Sequence, residues 1–444
     1  LERRVEPTAL SSSEVEAVWF KVQDSLPRKY ELCEGLVIAT SVYDLDLPFL
    51  DTTGLDRSEA LTAIAEAGRR HWLARTPLGF SLTRYHDAVA CLRDRRFHSA
   101  LSLIPKMAGI EPGGYLDRRR DSILSMEGEE HTRLRRLVAP AFTPGAADRL
   151  RPFMHDVISD LVDAVSPNGH CDLVAEVCEP YPIPVICELL GAPRTDWKRF
   201  SQWATDIFRI FNQDLSADLP VIQRASDELD DYVRSLVEKR RNDPRDDLLS
   251  NLIAIEESGD RLSTDELVML AEAVLMAGTD TTRNQLACCV ALFAEYPDQW
   301  ALLVENPELT AAAVDESMRY LGAVRGTARV ASEETEYREV CFPKGTLVFV
   351  ALAAANRDPA AFDAPDTFDI TRAQGAQHMT FGSGIHHCLG ASLARAELQE
   401  ALPVLARSLP ALRLDGVVEW KPRTFGIWGP ARLPLRFGAA PAAR

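Results

Sequence analysis

Apolar residues recur at helical spacing through the middle of the chain, and the pattern predicts helices over roughly 131–140, 145–166, 195–212 and 219–241. The longest periodic run begins after Ser263. A serine followed three residues later by Glu266 is the signature of a reciprocal N-terminal cap, and Pro297 stops the run after Tyr296. A helix of about 33 residues spans roughly 50 Å. It carries Leu267, Leu270, Val274 and Leu275 on helical spacing and is apolar on most faces, so it belongs at the centre of the fold. Residues 77–83 read as a short strand and 85–92 as the helix after it. Strands are also expected at 327–330, 336–342 and 346–351, with Pro343-Lys344-Gly345 as a turn. An irregular stretch over 356–384 leads to a helix at 389–405, and 420–437 reads as strands around Gly426 and Gly429. The 98–125 segment, with its Asp117-Arg118-Arg119-Arg120-Asp121 cluster, has no period and is expected to be a long mobile loop. The sum is a mainly α chain with a small β-rich lobe, expected as one domain over 1–437 with a disordered tail at 438–444.

Charge and composition narrow the function. Lys plus Arg is 49 against 66 Asp plus Glu, a net charge of −17 in 444 residues, which repels phosphate backbones and excludes nucleic acid as a partner. Eighteen apolar residues never run together, and the charged start, 1–7, lacks an apolar signal core. The expectation is a cytoplasmic protein with no membrane anchor. Nine cysteines follow no regular framework, and adjacent Cys288 and Cys289 fall in an apolar helical run, so most are expected to be reduced and buried.

Cys388 stands apart through its neighbours, Phe381-Gly382-Ser383-Gly384-Ile385-His386-His387-Cys388-Leu389-Gly390. Glycines and a cysteine at a helix N-terminus provide a tight turn, room for a flat ligand and amide dipoles that favour a thiolate. Zinc is a weak reading, because His386, His387 and Cys388 are adjacent and cannot all converge on one tetrahedral ion. The segment closely resembles the haem-binding loop of the cytochrome P-450 family, through Phe381, Gly384, His386, Cys388 and Gly390, with Gly382 and Leu393-Ala394-Arg395 also fitting. The resemblance extends over about 77–429. It implies the cytochrome P-450 fold, a single haem b, and Cys388 as its axial thiolate and the metal ligand.

Other segments fall into place beside that loop. Glu316 and Arg319, which share a helix face, resemble the family's ExxR pair; the arginine that often completes it is Thr367 here, so the third member is missing or supplied from elsewhere. Ala277-Gly278-Thr279-Asp280-Thr281-Thr282 lies midway along the long helix, where Thr281 can bond back to the Ala277 carbonyl and bend the axis. By resemblance this is the oxygen-binding groove, with Gly278 beside the cofactor and Asp280 and Thr281 as catalytic acid and alcohol. His131 and Arg135 resemble the family's propionate-binding HxxxR, joined by Arg329 and His386. The family's preceding Asp-Pro-Pro is Glu127-Gly128-Glu129 here, so this helix is expected to start differently. The resemblance also implies a substrate wall from Ala273, Val274, Ala277, Ala323, Val324 and Ile427, together with 98–125, Phe208, Phe211 and 425–428, mostly apolar positions that suit a lipophilic substrate. Arg325 is read either as a structural ion pair or as a partner for a substrate carboxylate.

The resemblance implies a monooxygenase that inserts one oxygen atom of O2 into a lipophilic small molecule: a terpenoid, steroid, fatty acid or polyketide-like compound. Electrons would come from NAD(P)H through a ferredoxin reductase and a ferredoxin, since the chain has no flavin- or iron–sulfur-like segment. Arg133 and Arg136 flank the propionate pair and are expected to form a basic docking patch on a monomer. The alternatives are a non-catalytic haem-thiolate sensor and a peroxide-driven oxygenase.

Overall fold

The computed structural model describes residues 39–438 apart from 53, 56, 102, 104–119, 212–214, 259–261, 374 and 422–425. Its helices are α1 (Arg57–Arg70), α2 (Tyr85–Arg93), α3 (Gly128–Val138), α4 (Pro144–Val165), α5 (Pro182–Leu190), α6 (Trp197–Ile207) and α7 (Leu215–Asn242). They continue with α8 (Leu248–Glu257), α9 (Thr264–Glu295), α10 (Pro297–Glu305), α11 (Thr310–Tyr320), the single turn α12 (Leu352–Ala355) and α13 (Ala391–Ser408).

The 32 residues of α9 form the axis. Ser263 Oγ accepts the Glu266 amide at 3.2 Å and Glu266 Oε2 accepts the Ser263 amide at 2.8 Å, the reciprocal cap its sequence predicts. From Thr282 to Phe293 every side chain is buried, so this half lies wholly inside the core. Helices α5, α7 and α13 pack on it, and α13 also packs on α4. Each fully buried Leu or Phe there contributes about 1.5–3 kcal/mol. Helix α5 was not expected. Nearly all its side chains are buried, so Pro182 to Leu190 has no polar face to reveal a helical period.

The small lobe is a five-stranded sheet of β1 (Leu73–Thr76), β2 (Gly79–Leu82), β3 (Phe97–Ser99), β4 (Thr327–Ala331) and β5 (Leu347–Val350), ordered β1-β2-β5-β4-β3. Only the β2–β5 pairing is parallel. The strand expected at 77–83 is β2 over 79–82, and it folds back at Pro77 and Leu78 onto β1, which was not expected. The strand expected at 336–342 likewise folds back on itself. Arg338 and Glu339 adopt φ of 50° and 61°, and the buried Asp87 of α2 holds that turn through Arg338 Nε at 2.9 Å and the Tyr337 hydroxyl at 2.8 Å. Near the C-terminus, Pro434–Arg436 pairs with Arg413–Leu414 and with the remote His170–Asp172. Among the described residues no helix is long and apolar enough to cross a membrane. Most of the loop expected at 98–125, and the tail after Gly438, lie outside the described residues.

Candidate active site

The cysteine loop is built from two tight turns, Met379–Phe381 and Gly384–His386. The Cys388 amide donates to the Phe381 carbonyl at 2.9 Å and the His387 amide to Gly384 at 3.0 Å, folding the loop back on itself just before α13. Gly384 has φ of 74°, and a Cβ there would overlap the Leu92 carbonyl oxygen of α2, so no other residue fits. The Phe381 ring is covered by the Arg395 guanidinium at 4.6 Å, and Asp315 of α11 fixes that arginine at 2.8 Å. The cysteine is thereby registered against two helices.

Burial pushes the Cys388 thiol above its ordinary value, against the Gly390 amide and the charges of Arg135 and Arg395, which pull it down. Binding of a metal at sulfur would favour loss of that proton. No group of three or more His, Cys, Asp and Glu among the described residues could hold a metal ion.

A basic rim surrounds this loop. His131 and His386 lie with ring centroids 4.6 Å apart, and Arg135 donates to the His387 carbonyl at 2.5 Å. Arg329 is 5% exposed and bonds the Thr327 hydroxyl at 3.1 Å and the Ala328 carbonyl at 2.9 Å, with no carboxylate at ion-pair distance among the described residues. Burial lowers the affinity of both arginines for their protons, and it lowers His131, with the nearby charges of His386 and Arg135, to about 4. His131 Nε2 is buried without a partner. Two guanidiniums and an unpartnered buried imidazole nitrogen match a ligand that brings its own carboxylates, as the two propionates of haem would. One acid, Glu127, sits among them. Burial raises its carboxyl, but hydrogen bonds from His386 and the Ser99 amide outweigh this and leave it below the usual range.

The central helix offers a groove. Along α9, Ala273, Ala277 and Thr281 form an accessible stripe at i, i+4 and i+8, while Val274 belongs to the core. Thr281 Oγ1 donates to the Ala277 carbonyl at 2.7 Å, as its sequence position predicts. The bare side of Gly278 is turned to α5, where a Cβ would lie 2.7 Å from Ile186 Cδ1; its lack of a side chain therefore serves helix packing. Asp280 does not reach toward solvent. It is 5% exposed and ion-paired with Arg283 one turn on, with Lys421 Nζ at 4.0 Å. Arg283 continues outward to Ser201 at 3.3 Å, Thr205 at 3.1 Å and the half-exposed Glu179 at 3.6 Å. Burial holds Lys421 below its ordinary range, against the pull of Asp280.

Glu316 and Arg319 form the expected buried pair at 2.7 and 2.8 Å. The third member is Arg372, whose Nε lies 3.1 Å from both Glu316 oxygens, while its Nη2 donates to the carbonyls of Ala364 and Thr367. Thr367, where the family places its arginine, contributes only a carbonyl, shared by Arg319 and Arg372. On the substrate side Val324 and Ile427 are brought together as an isolated antiparallel bridge, and Phe208 opens the turn Phe208–Phe211. Arg325 lies over the Trp428 ring at 5.0 Å, and Trp420 stacks on the same tryptophan at 4.4 Å. The Phe211 side chain and Phe425 lie outside the described residues. Sequence reasoning missed Arg372, Arg283 and Lys421. Arg283 had a local signal, three residues after Asp280; the other two had none. Arg133, expected as part of a free basic patch, is ion-paired with Glu130 and Glu266, whereas Arg136 is exposed.

Comparison with known proteins agrees with this geometry. The family model described as cytochrome P-450 matches residues 103–307 and 301–409. Luteothin monooxygenase of Streptomyces thioluteus is 38% identical over 89% of this chain and 97% of its own. The mycinamicin IV hydroxylase/epoxidase of Micromonospora griseorubida is 37% identical over 89% and 99%. The crystal structure of CalO2 superposes with a TM-score of 0.83 at 31% identity, covering 89% of this chain and all of that one.

Proposed function

Because the chain belongs to the cytochrome P-450 family and is a monooxygenase of that family, we propose that it oxidises a lipophilic, polyketide-like small molecule with electrons from a ferredoxin. The observation that carries the reading is the Cys388 loop set against a basic rim with an unpartnered buried imidazole nitrogen. Haem held through a thiolate supplies dioxygen activation, with sulfur donation favouring O–O cleavage. Cys388 is the proposed axial ligand, in a loop shaped by Phe381, Gly384 and Gly390. His131, Arg135, Arg329 and His386 hold the propionates.

The groove residues handle protons. Thr281 Oγ1 spends its hydrogen on the Ala277 carbonyl, which leaves its lone pairs to hold a water in the accessible stripe. Asp280 is the acid behind it, and its charge is balanced by Arg283 and Lys421. Movement of either cation frees the carboxylate to take up and pass on a proton. The apolar stripe at Ala273 and Ala277 and the Val324–Ile427 bridge favour a lipophilic substrate. Relatives named for luteothin, mycinamicin IV and 6-deoxyerythronolide B support the polyketide-like class. A ferredoxin and its NAD(P)H-dependent reductase in the cytoplasm are the proposed electron source, docking near Arg136.

The reading is tested by the reduced carbon monoxide spectrum and a titration. The protein should absorb far to the red of a histidine-ligated haem, and Cys388→Ala should lose that band. Polyketide-like compounds should shift the ferric spectrum and yield oxygenated product with ferredoxin, reductase and NAD(P)H. An unchanged band in Cys388→Ala refutes the ligand assignment. Product with hydrogen peroxide and none with ferredoxin refutes the electron route.

A further inference from the structure

The start of α3 departs from its family, with Glu127-Gly128-Glu129 in place of Asp-Pro-Pro. Gly128 opens the helix with φ of 70°, and nothing lies within 4 Å of where its Cβ would stand. The left-handed turn is therefore set by the path of the chain, not by crowding. Glu127 occupies the N-cap position, yet its side chain caps nothing in α3. It reaches instead to two other segments. Oε1 accepts the Ser99 amide of β3 at 2.6 Å and bonds His386 Nε2 of the cysteine loop at 2.9 Å. The acid and the imidazole side chains are 16% and 14% exposed, so both bonds are shielded. Ser99 is the cross-strand partner of Arg329, and His131 rests against His386. One carboxylate oxygen thus joins the start of α3, which carries His131 and Arg135, to the cysteine loop with His386 and to β3, the strand paired with that of Arg329.

We infer that Glu127 is a positioning residue of the cofactor pocket: it fixes the His386 ring and ties β3 and the start of α3 to the cysteine loop, so that the propionate-binding rim is assembled before haem arrives. The inference rests on the haem reading above and deepens it. Holding His386 through Nε2 leaves the other ring nitrogen for the cofactor. A rim already held in place loses less freedom on binding. What matters is the reach of the acceptor rather than its charge, and the two can be separated by substitution.

The test uses the haem-loaded protein and measures the rate of haem transfer to excess apomyoglobin, with resonance Raman bands of the propionates as a second readout. Glu127→Asp keeps the charge but withdraws the oxygen by about 1.5 Å. It should release haem about tenfold faster and shift the propionate bands, as should Glu127→Ala. Glu127→Gln keeps an acceptor at the same reach and should stay within about threefold of the parent. Gly128→Ala, which misdirects the acid without removing it, should follow Glu127→Asp. If Glu127→Ala does not fold, the comparison of Asp with Gln decides. Parental haem loss in Glu127→Asp, or loss in Glu127→Gln as fast as in Glu127→Ala, overturns the role of Glu127 while a thiolate-type carbon monoxide band leaves the haem reading standing. Absence of that band from the unaltered protein overturns both.

Discussion

Replacing Arg372 with alanine removes one arm of a buried network and tests whether this residue does the work of the arginine absent at 367. Its side chain is 18% exposed, against 4% for Glu316. The substitution deletes two charge-assisted contacts to Glu316 at 3.1 Å and the bonds to the carbonyls of Asp363, Ala364 and Thr367. Each bond to a charged group is worth about 1.5–3 kcal/mol when both partners are dry. Here Glu316 keeps Arg319 at 2.7 and 2.8 Å and the Asp369 amide at 3.1 Å, so no charge is stranded. The expected cost is about 2–4 kcal/mol, below the roughly 3–5 kcal/mol of breaking a buried pair outright, as Arg319→Ala would. For a chain of 444 residues unfolding as one unit, 1 kcal/mol corresponds to roughly 1 °C in Tm, so Arg372→Ala should lower Tm by about 2–4 °C. Scanning calorimetry of the haem-loaded protein measures this, with the carbon monoxide band recorded on heating to follow the cysteine site. Adding Thr367→Arg to Arg372→Ala should recover at least half of the loss. Arg372→Ala as stable as the parent, or Arg319→Ala no costlier than Arg372→Ala, would refute the network as drawn.

Three further outcomes follow from the site. Thr281→Ala should leave haem and substrate binding nearly intact while diverting electrons to peroxide, and Asp280→Asn should mainly slow turnover; unchanged coupling of NAD(P)H to product in both would remove the proton role. In the haem-free chain, buried His131 has its affinity for protons lowered from 6.5 to about 4, so its contribution to stability is present above about 6.5 and is lost as pH falls toward 4. Denaturant unfolding across that window should show a shallower pH slope in His131→Gln, and an identical slope would contradict the burial argument. Reduction by an acidic ferredoxin should slow in Arg136→Glu, and its salt dependence should weaken, whereas Arg133→Glu should matter less because Arg133 is already paired. Equal effects in stopped-flow reduction would place both arginines at the interface.

The sequence by itself determined what depends on local spacing. The cap at Ser263, the course of the long helix, the back-bond from Thr281 and the Glu316–Arg319 pair all involve residues within four positions of each other, so their geometry follows from the helix itself. The cysteine loop was legible for the same reason, because the Cys388-to-Phe381 bond and the left-handed Gly384 lie within one short segment. Hairpins were harder. The turns at Pro77-Leu78 and Arg338-Glu339 carry no Asn-Gly or Asp-Gly signal, and the second is held by an acid some 250 positions away. Tertiary structure alone decided which charges meet. Arg372 reaches Glu316 across 56 positions, Lys421 approaches Asp280 from the C-terminal strands, and Glu127 finds His386 across 259. No periodicity encodes such meetings, because they depend on how distant segments are laid beside one another by the core. The same holds for the surroundings of Cys388: amide dipoles can be read from a helix start, but the burial that pushes the thiol up and the charge of Arg135 that pulls it down come only from the folded chain.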